Sequence, residues 1–185
     1  MFRFIHAADL HLDAQFKHCR KTNAEADGIL QRATFEAYDN LIQLCIDEQA
    51  DALLIAGDVY DSDVRGVHGK FRFIKGLNKL NAAGIQIFLC HGNHDSLDTW
   101  NSQLAMPPNV HRFGSKAECV PINSESSTRP VVCGISYPTR EVTDNLLGRF
   151  PDHDPSHFTI GLLHTNVGSN AKHKSYAPCT IAELT

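Results

Sequence analysis

The chain has 185 residues, of which 42% are hydrophobic and 21% are charged, and its formal net charge is −4. A chain of this length can bury a substantial core, so we expect one domain spanning residues 1–185. The net charge argues against a generally basic nucleic-acid coat, although local basic patches remain open. No apolar stretch reaches the roughly 18 to 20 residues of a membrane span, and the first residues turn polar too early for a secretory signal. We therefore expect a cytoplasmic protein without a membrane segment.

The cysteines carry no metal or redox pattern, because they are scattered without CxxC pairs. Two of them lie inside apolar segments. Three disulfides fit the number, but we interpret the set as reduced thiols of the core. The six are Cys19, Cys45, Cys90, Cys119, Cys133 and Cys179.

Four short apolar runs, each ended by turn or polar residues, predict buried strands at residues 2–7, 52–56, 85–90 and 158–163. Two helices are predicted between the first three runs. One is about 18 to 20 residues long, and its apolar face consists of Leu30, Ala33, Ala37, Leu41, Leu44 and Cys45. The other ends at Gly84, and its face consists of Phe71, Ile74, Leu77 and Leu80.

Strands that alternate with helices predict a parallel sheet with right-handed crossovers. From about residue 110 the pattern changes to short runs at 110–113, 117–121 and 131–137, which are interrupted by turn residues and by the polar segment 123–129. These runs predict a second, partly antiparallel sheet packed on the first. A third helix is predicted at 139–150, before the last strand.

Polar residues follow each of the four predicted strands. The carboxyl ends of parallel strands share one edge of an open α/β sheet, where such folds bind ligands. We therefore expect these side chains to converge. Asp9 and His11 follow the first strand, Asp58 and Asp61 the second, Asn93 and His94 the third, and His164 the fourth.

The converging set contains carboxylates, imidazoles and an amide but no thiolate, which suits Mn²⁺, Fe or Zn²⁺ better than a cysteine-rich structural zinc site. Two cations about 3.5 to 4 Å apart need a bridging carboxylate, and Asp58 is the candidate. Singly, each residue has a simpler interpretation: Asp9 in an Asx turn, Asp58 as a helix N-cap, His164 as a core histidine. Their shared position at strand ends favours the metal interpretation.

The motifs DxH at 9–11, GDxxD at 57–61 and GNHD at 92–95, with the strand-terminal His164, resemble the calcineurin-like metallophosphoesterase superfamily. The stretches FIHAADLHLD and LLIAGDVYDS and the segment from LLHTN to the last residue are similar to its bacterial DNA-repair exonuclease branch, with SbcD-like and YhaO-like proteins. The resemblance implies a four-layer α/β/β/α sandwich. It also implies a metal-dependent phosphodiesterase that acts as a DNA exonuclease.

The resemblance implies roles for seven residues. One cation would take Asp9, His11 and Asp58, and the other Asp58, Asn93 and His164. His94 would face the phosphate and assist departure of the ester oxygen. Asp61 would hydrogen-bond His94 and favour its imidazolium, although a turn-stabilising aspartate is the simpler alternative. Two divalent cations are implied, with Mn²⁺ expected and Mg²⁺, Fe or Zn²⁺ as alternatives.

The chain departs from the superfamily pattern in one respect, since no GHxH motif occurs in the 185 residues. The motif supplies a further ligand to each cation. We therefore expect a truncated form of a longer nuclease, incomplete at its C-terminal end and without a capping domain. Partial metal occupancy and low activity are expected.

The substrate is left open between DNA, a small nucleotide and another phosphate ester. Asp61 is followed by Ser62 and not by the arginine of phosphoprotein phosphatases, which counts against a phosphoprotein. A basic rim for DNA is one interpretation of Lys17, Arg20, Lys21, Arg65, Lys70, Arg72, Lys172 and Lys174, and solvated helix faces are the other. A non-catalytic scaffold that binds DNA or a partner is the alternative of a different class. The resemblance further implies a coiled-coil ATPase partner, and a dimer remains open.

Overall fold

A four-stranded parallel sheet organises the fold. The computed structural model describes all residues except 13, 15–23, 62–66, 101–104, 125, 128, 153, 169–175 and 185. The strands are β1 (Phe4–Ala7), β2 (Ala52–Ala56), β3 (Gln86–Cys90) and β4 (Val110–Arg112), hydrogen-bonded in that order. All three pairings are parallel, as predicted for the first three strands. The run at 110–113, which we expected in the second sheet, instead lengthens the first.

Two helices, α1 (Ala24–Asp47) and α2 (Val67–Ala82), contribute to the core on one face of this sheet. Both were predicted, but the buried face of α1 differs from the predicted one. Cys45 is buried as predicted, and so are Tyr38 and Ile42, which the prediction did not include. The predicted Ala33, Ala37 and Leu44 are exposed. In α2, Leu77 and Leu80 are buried as predicted, whereas Phe73 is buried and the predicted Phe71 is exposed. Within the described chain, neither helix combines the length and the apolar character needed to cross a bilayer.

Tyr38 explains the orientation of α1. Its ring is 1% exposed, and its hydroxyl donates a hydrogen bond of 2.8 Å to the carbonyl of Phe73 on α2. An aromatic side chain buries far more area than an alanine, so the helix turns Tyr38 towards the core and its alanines towards solvent.

The second sheet contains β5 (Glu118–Pro121), β6 (Val131–Gly134) and β7 (Thr159–Leu162). β5 pairs antiparallel with β6, and β6 pairs parallel with β7, so the prediction of a partly antiparallel sheet is confirmed. The run at 158–163, whose carboxyl end we grouped with those of the parallel strands, forms β7 of the second sheet instead. The two sheets enclose a core of Leu54, Phe88, Phe113, Val132 and Leu162.

The helix predicted at 139–150 is wrong, because the structure has only a 3₁₀ turn there, at Leu147–Arg149. Asn145 accepts the backbone N–H of Leu147 at 2.9 Å, and such local side-chain bonds compete with a regular helix. The apolar residues of the segment are still used. Val142 and Leu146 are buried with Ile135 and Tyr137 on the outer side of the second sheet. The α/β class is confirmed, and this irregular segment covers the sheet where we expected a helix.

The cysteines differ from the expectation of reduced thiols. Cys119 of β5 and Cys133 of β6 are directly opposite in the antiparallel pairing and form a disulfide. Cys45, Cys90 and Cys179 are free and buried, as predicted for core thiols. Cys19 lies outside the described residues. A separation of 14 residues without a CxxC pattern gives no sequence signal for the bridge, since only the strand register brings the two side chains together.

Replacing Gly134 by alanine should destabilise the fold. A Cβ at this position would meet ring atoms of Phe113 at less than 3.0 Å, inside the core between the sheets. We expect a loss of about 1–3 kcal/mol in the free energy of unfolding, measured by urea denaturation. Gly148→Ala is the control, because none of the described residues lies within 4 Å of its Cβ position. Equal stability of the two variants would contradict this account of the packing.

Candidate metal centre

The loops after β1 and β2 run side by side at the carboxyl end of the parallel sheet. The backbone N–H of Asp9 donates to the carbonyl of Gly57 at 3.2 Å, and that of His11 donates to the carbonyl of Asp58 at 3.1 Å. Parallel pairing therefore continues beyond the strands. It places the DxH motif directly beside the GDxxD motif.

Three residues of these loops adopt the left-handed backbone conformation. The φ angles of Asp9, His11 and Asp58 are 52°, 41° and 53°. This conformation costs a residue with a Cβ roughly 1–2 kcal/mol. Such residues cluster at functional sites, where the surrounding structure holds them in place. Here the backbone turns their side chains into one small region.

The first group of candidate ligands is Asp9, His11 and Asp58. Nε2 of His11 lies 3.8 Å from Oδ1 of Asp9 and 3.9 Å from Oδ2 of Asp58. The ligand atoms of all three residues fall within 4.8 Å of one another. This spacing leaves room for a cation between them, since ligand bonds of such ions are about 2.0–2.2 Å.

The second group is Asp58, Asn93 and His164. Nε2 of His164 lies 3.5 Å from Oδ2 of Asp58 and 3.2 Å from Oδ1 of Asn93. Its other ring nitrogen, Nδ1, lies 2.9 Å from the carbonyl oxygen of Ala56. A carbonyl only accepts, so Nδ1 carries the proton and the lone pair of Nε2 faces Asp58 and Asn93.

The donor set fits divalent cations. Oδ2 of Asp58 is the atom that both groups share, which is the position a bridging carboxylate needs. Cys90 ends the neighbouring strand, but burial, followed by the charge of Asp95, raises the pKa of its thiol well above the ordinary value. The thiol therefore stays protonated and adds no thiolate ligand. Oxygen and imidazole ligands suit several divalent metals, and the identity of the metal is not fixed by them.

Asp58 is held in a buried position. Its residue is 3% exposed, and this burial raises the pKa of its carboxyl above the ordinary value, partly offset by His164 and by the backbone N–H of His94. That N–H donates to Oδ1 at 2.9 Å. Oδ2 is thereby left to face the two histidines.

His94 and Asp61 form the pair that we expected from the resemblance. Nδ1 of His94 lies 3.1 Å from Oδ1 of Asp61, at the open side of the site. A carboxylate accepts, so Nδ1 donates and Nε2 points away from Asp61. The ring of His94 stands edge-on to that of His11, with centroids 5.0 Å apart. His11, Asp61 and His94 also lie close enough to hold an ion, which is a second interpretation of the pair.

Two residues of the third loop received no role in the sequence analysis. Asp95 and His91 are both 0% exposed, and Nδ1 of His91 lies 3.8 Å from Oδ1 of Asp95. Burial alone would raise the pKa of Asp95, but His91 and the backbone N–H groups of Gly92 and Val59 outweigh it and lower the pKa below its ordinary value. Asp95 is therefore ionised in the core. The place of Asp95 at the end of the GNHD motif was the sequence signal that could have pointed to it.

The predicted basic rim falls largely outside the described residues, since these exclude Lys17, Arg20, Lys21, Arg65, Lys172 and Lys174. Of the other two, Arg72 is engaged in the fold. Its guanidinium pairs with Asp39 of α1 and lies 5.8 Å above the ring of Phe35. Arg72 therefore links the two helices.

Residues 2–177 match the family of calcineurin-like phosphoesterases. The chain belongs to this family. Its members are metal-dependent hydrolases of phosphate esters, in agreement with the oxygen and imidazole donors at the sheet edge. The α/β fold with two packed sheets also agrees with membership.

Three relatives illustrate what the chain is similar to. The chain is 30% identical over 182 residues to the uncharacterized metallophosphoesterase YhaO of Bacillus subtilis, covering 98% of this chain and 45% of that protein. It is 28% identical over 99 residues to the SbcD component of the nuclease SbcCD of Escherichia coli K12, covering 54% and 22%. It is 31% identical over 94 residues to the DNA double-strand break repair protein Mre11 of Methanosarcina acetivorans, covering 51% and 14%. The chain thus spans less than half the length of each relative.

Gly92→Ala should weaken cation binding. A Cβ at Gly92 would overlap Oδ1 of Asp58 and lie 3.0 Å from Cδ2 of His164. The displaced carboxylate should lower the affinity for Mn²⁺ by roughly 10- to 100-fold, measured by calorimetry. Gly114→Ala is the matched control, because its Cβ position has no neighbour within 4 Å in the described part of the chain. Wild-type affinity in the Gly92 variant would remove Asp58 and His164 from the cation site.

Proposed function

We propose that residues 1–185 form a metallophosphoesterase domain that hydrolyses phosphodiester bonds in DNA. The observation that carries the proposal is the shared Oδ2 of Asp58, which lies 3.9 Å from Nε2 of His11 and 3.5 Å from Nε2 of His164. One carboxylate thus joins two groups of ligands, which is the arrangement a dinuclear phosphoesterase requires.

The proposed assignments follow the two groups. Asp9, His11 and Asp58 would hold one cation, and Asp58, Asn93 and His164 would hold the other. Bound divalent cations supply an activated water and neutralise the charge that develops on the phosphoryl oxygens. Mn²⁺ is our candidate, and partial occupancy in this chain stays a prediction.

His94 is the proposed general acid. Asp61 fixes the ring through Nδ1 at 3.1 Å, which leaves Nε2 to face a phosphate placed over the two ligand groups. His94 can then give a proton to the departing ester oxygen, while the negative charge of Asp61 stabilises the imidazolium before transfer. The imidazole is half-buried, so it is both held in place and open to a ligand.

DNA is the proposed substrate because the E. coli relative is by name part of a nuclease and the M. acetivorans relative a DNA double-strand break repair protein. The E. coli protein is also by name one subunit of its nuclease, which supports a partner protein for the one that contains this chain. We propose a coiled-coil ATPase on the resemblance alone. A small nucleotide ester is the competing substrate, and it is tested by the same assay.

His94→Ala should lower turnover with little change in metal content. Loss of a general acid costs typically 10²- to 10⁴-fold in rate. The assay measures Mn²⁺-dependent hydrolysis of end-labelled duplex DNA, single-stranded DNA and a cyclic nucleotide, with bound metal measured by elemental analysis. His157→Ala is the matched control, because His157 forms a similar pair with Asp154 at 3.2 Å on the exposed surface.

Three outcomes would contradict parts of this proposal. Activity that survives in His94→Ala would remove His94 as the acid. Hydrolysis of the cyclic nucleotide but not of DNA would replace the substrate. Metal binding without hydrolysis of any of these phosphodiesters would favour a non-catalytic scaffold.

Asp61→Asn should reduce turnover by roughly 10- to 100-fold and leave metal content unchanged. An asparagine can still accept the bond from Nδ1 of His94, but it lacks the charge that favours the imidazolium. Elemental analysis distinguishes the two interpretations of the pair. Lost metal with lost turnover would show that Asp61 is a ligand, and unchanged turnover would leave it as a residue that stabilises the turn.

A further inference from the structure

Asp95 is a fully buried carboxylate to which the assignments above give no role. It ends the GNHD motif, only two residues beyond Asn93. Burying a charged group is unfavourable unless hydrogen bonds or a partner charge compensate for it. The groups that compensate Asp95 therefore indicate what it holds together.

Asp95 accepts three backbone hydrogen bonds from two different loops. Oδ1 accepts the N–H of Asp58 at 3.2 Å and that of Gly92 at 2.8 Å, and Oδ2 accepts the N–H of Val59 at 2.8 Å. Asp58 and Val59 are consecutive, and consecutive backbone N–H groups form a concave site for an anion. Asp95 fills this site, so its side chain joins the loop after β3 to the loop after β2.

The connection acts on a residue whose backbone needs support. Asp58 has a φ of 53°, which is unfavourable for a residue with a Cβ. Asp95 binds the N–H of Asp58 itself and that of the following residue. In return, the N–H of His94 donates to the Asp58 carboxylate at 2.9 Å. The backbone of each loop thus binds a carboxylate of the other.

Asp95 also lies beside the buried side chain of His91. Nδ1 of His91 lies 3.8 Å from its Oδ1, and the ring of His91 lies 4.5 Å from that of Trp100, measured between centroids. The backbone N–H of His91 donates to Oγ of Ser136 at 2.9 Å, which anchors this loop to the segment after β6. The carboxylate therefore has a fixed position from which to hold Asp58.

We propose that Asp95 is a positioning residue that fixes Asp58 relative to Asn93 and His94, so that the candidate ligands of two loops stay at the spacing a cation needs. This inference rests on the metal centre of the proposed function. Replacing a residue that only stabilises the fold would lower the free energy of unfolding without changing how tightly the folded protein binds a cation. Replacing Asp95 should change both.

The test compares Asp95→Asn with Asp51→Asn. The first variant keeps the shape but replaces one acceptor oxygen by an amino group, so at least one of the three loop hydrogen bonds is lost. Asp51 is the matched control, since it accepts the backbone N–H of Arg3 at 2.7 Å at the opposite end of β2. We expect the affinity for Mn²⁺, measured by calorimetry on folded protein, to fall by roughly 10- to 100-fold in Asp95→Asn and to stay unchanged in the control.

Amide hydrogen exchange in the metal-free protein supplies a second measurement that does not depend on cation binding. The amides of Asp58, Val59 and Gly92 should exchange slowly in the wild type, although they lie in loops, and faster in Asp95→Asn. If that variant does not fold, the wild type decides. Exchange of these amides at the rate of exposed loop amides would overturn the proposal.

The remaining outcomes separate this inference from the proposed function. Wild-type Mn²⁺ affinity in a folded Asp95→Asn variant would overturn the positioning role and leave the metal centre intact. Alternatively, the wild type binds no cation while its slow amide exchange is lost in Asp95→Asn. That result would support the connection between the loops and overturn the metal centre.

Discussion

The parallel pairing of β1, β2 and β3 is the constraint on which the candidate site depends. In the register of the sheet, Ala7 lies opposite Ile55, and Ala56 lies opposite Cys90. The three strands therefore end at the same level, with neighbouring chains about 4.8 Å apart. Side chains that directly follow the strand ends therefore lie close enough together to bind one cation, and no long loop is needed to bring them together. A register slip of one residue would turn the buried side chains to the opposite face, so the core that holds the register also holds the site.

The second sheet completes the site from the other side. β7 runs parallel to β6, and His164 follows its end close enough for Nδ1 to donate to the carbonyl of Ala56, the last residue of β2. One hydrogen bond thus fixes both the tautomer of His164 and its position against the first sheet. The approach depends on a well-packed interface between the sheets, in which the absence of a side chain at Gly134 makes room for Phe113. The site lies where the two sheets meet.

The local features of the fold could be predicted from the sequence. The pairing of distant strands and the buried face of α1 depend on long-range packing and could not. The strands β1, β2 and β3 and the polar residues after them follow from apolar runs and turn residues. Residues 110–113 and 158–163 were assigned to the wrong sheets because a short apolar run does not show which neighbour it will pair with. The buried face of α1 was predicted wrongly because burying Tyr38 removes far more apolar area from water than burying Ala33 and Ala37 would. Asp95 was overlooked for a related reason, since its hydrogen-bond donors are backbone groups, and the GNHD motif does not show which of them it binds.

The two oxygens of Asp58 show why the arrangement favours a cation over an internal hydrogen-bond network. Oδ1 is bound by the backbone N–H of His94, while Oδ2 lies 3.9 Å from His11 and 3.5 Å from His164, too far for good hydrogen bonds. In the neutral tautomer that donates from Nδ1 to the carbonyl of Ala56, His164 has no proton on Nε2 to donate. Burial raises the pKa of Asp58 and so makes its charge unfavourable without a partner. A positive ion among these acceptors would compensate the buried charge of Asp58. Neither the left-handed backbone nor the buried carboxylate provides such compensation by itself.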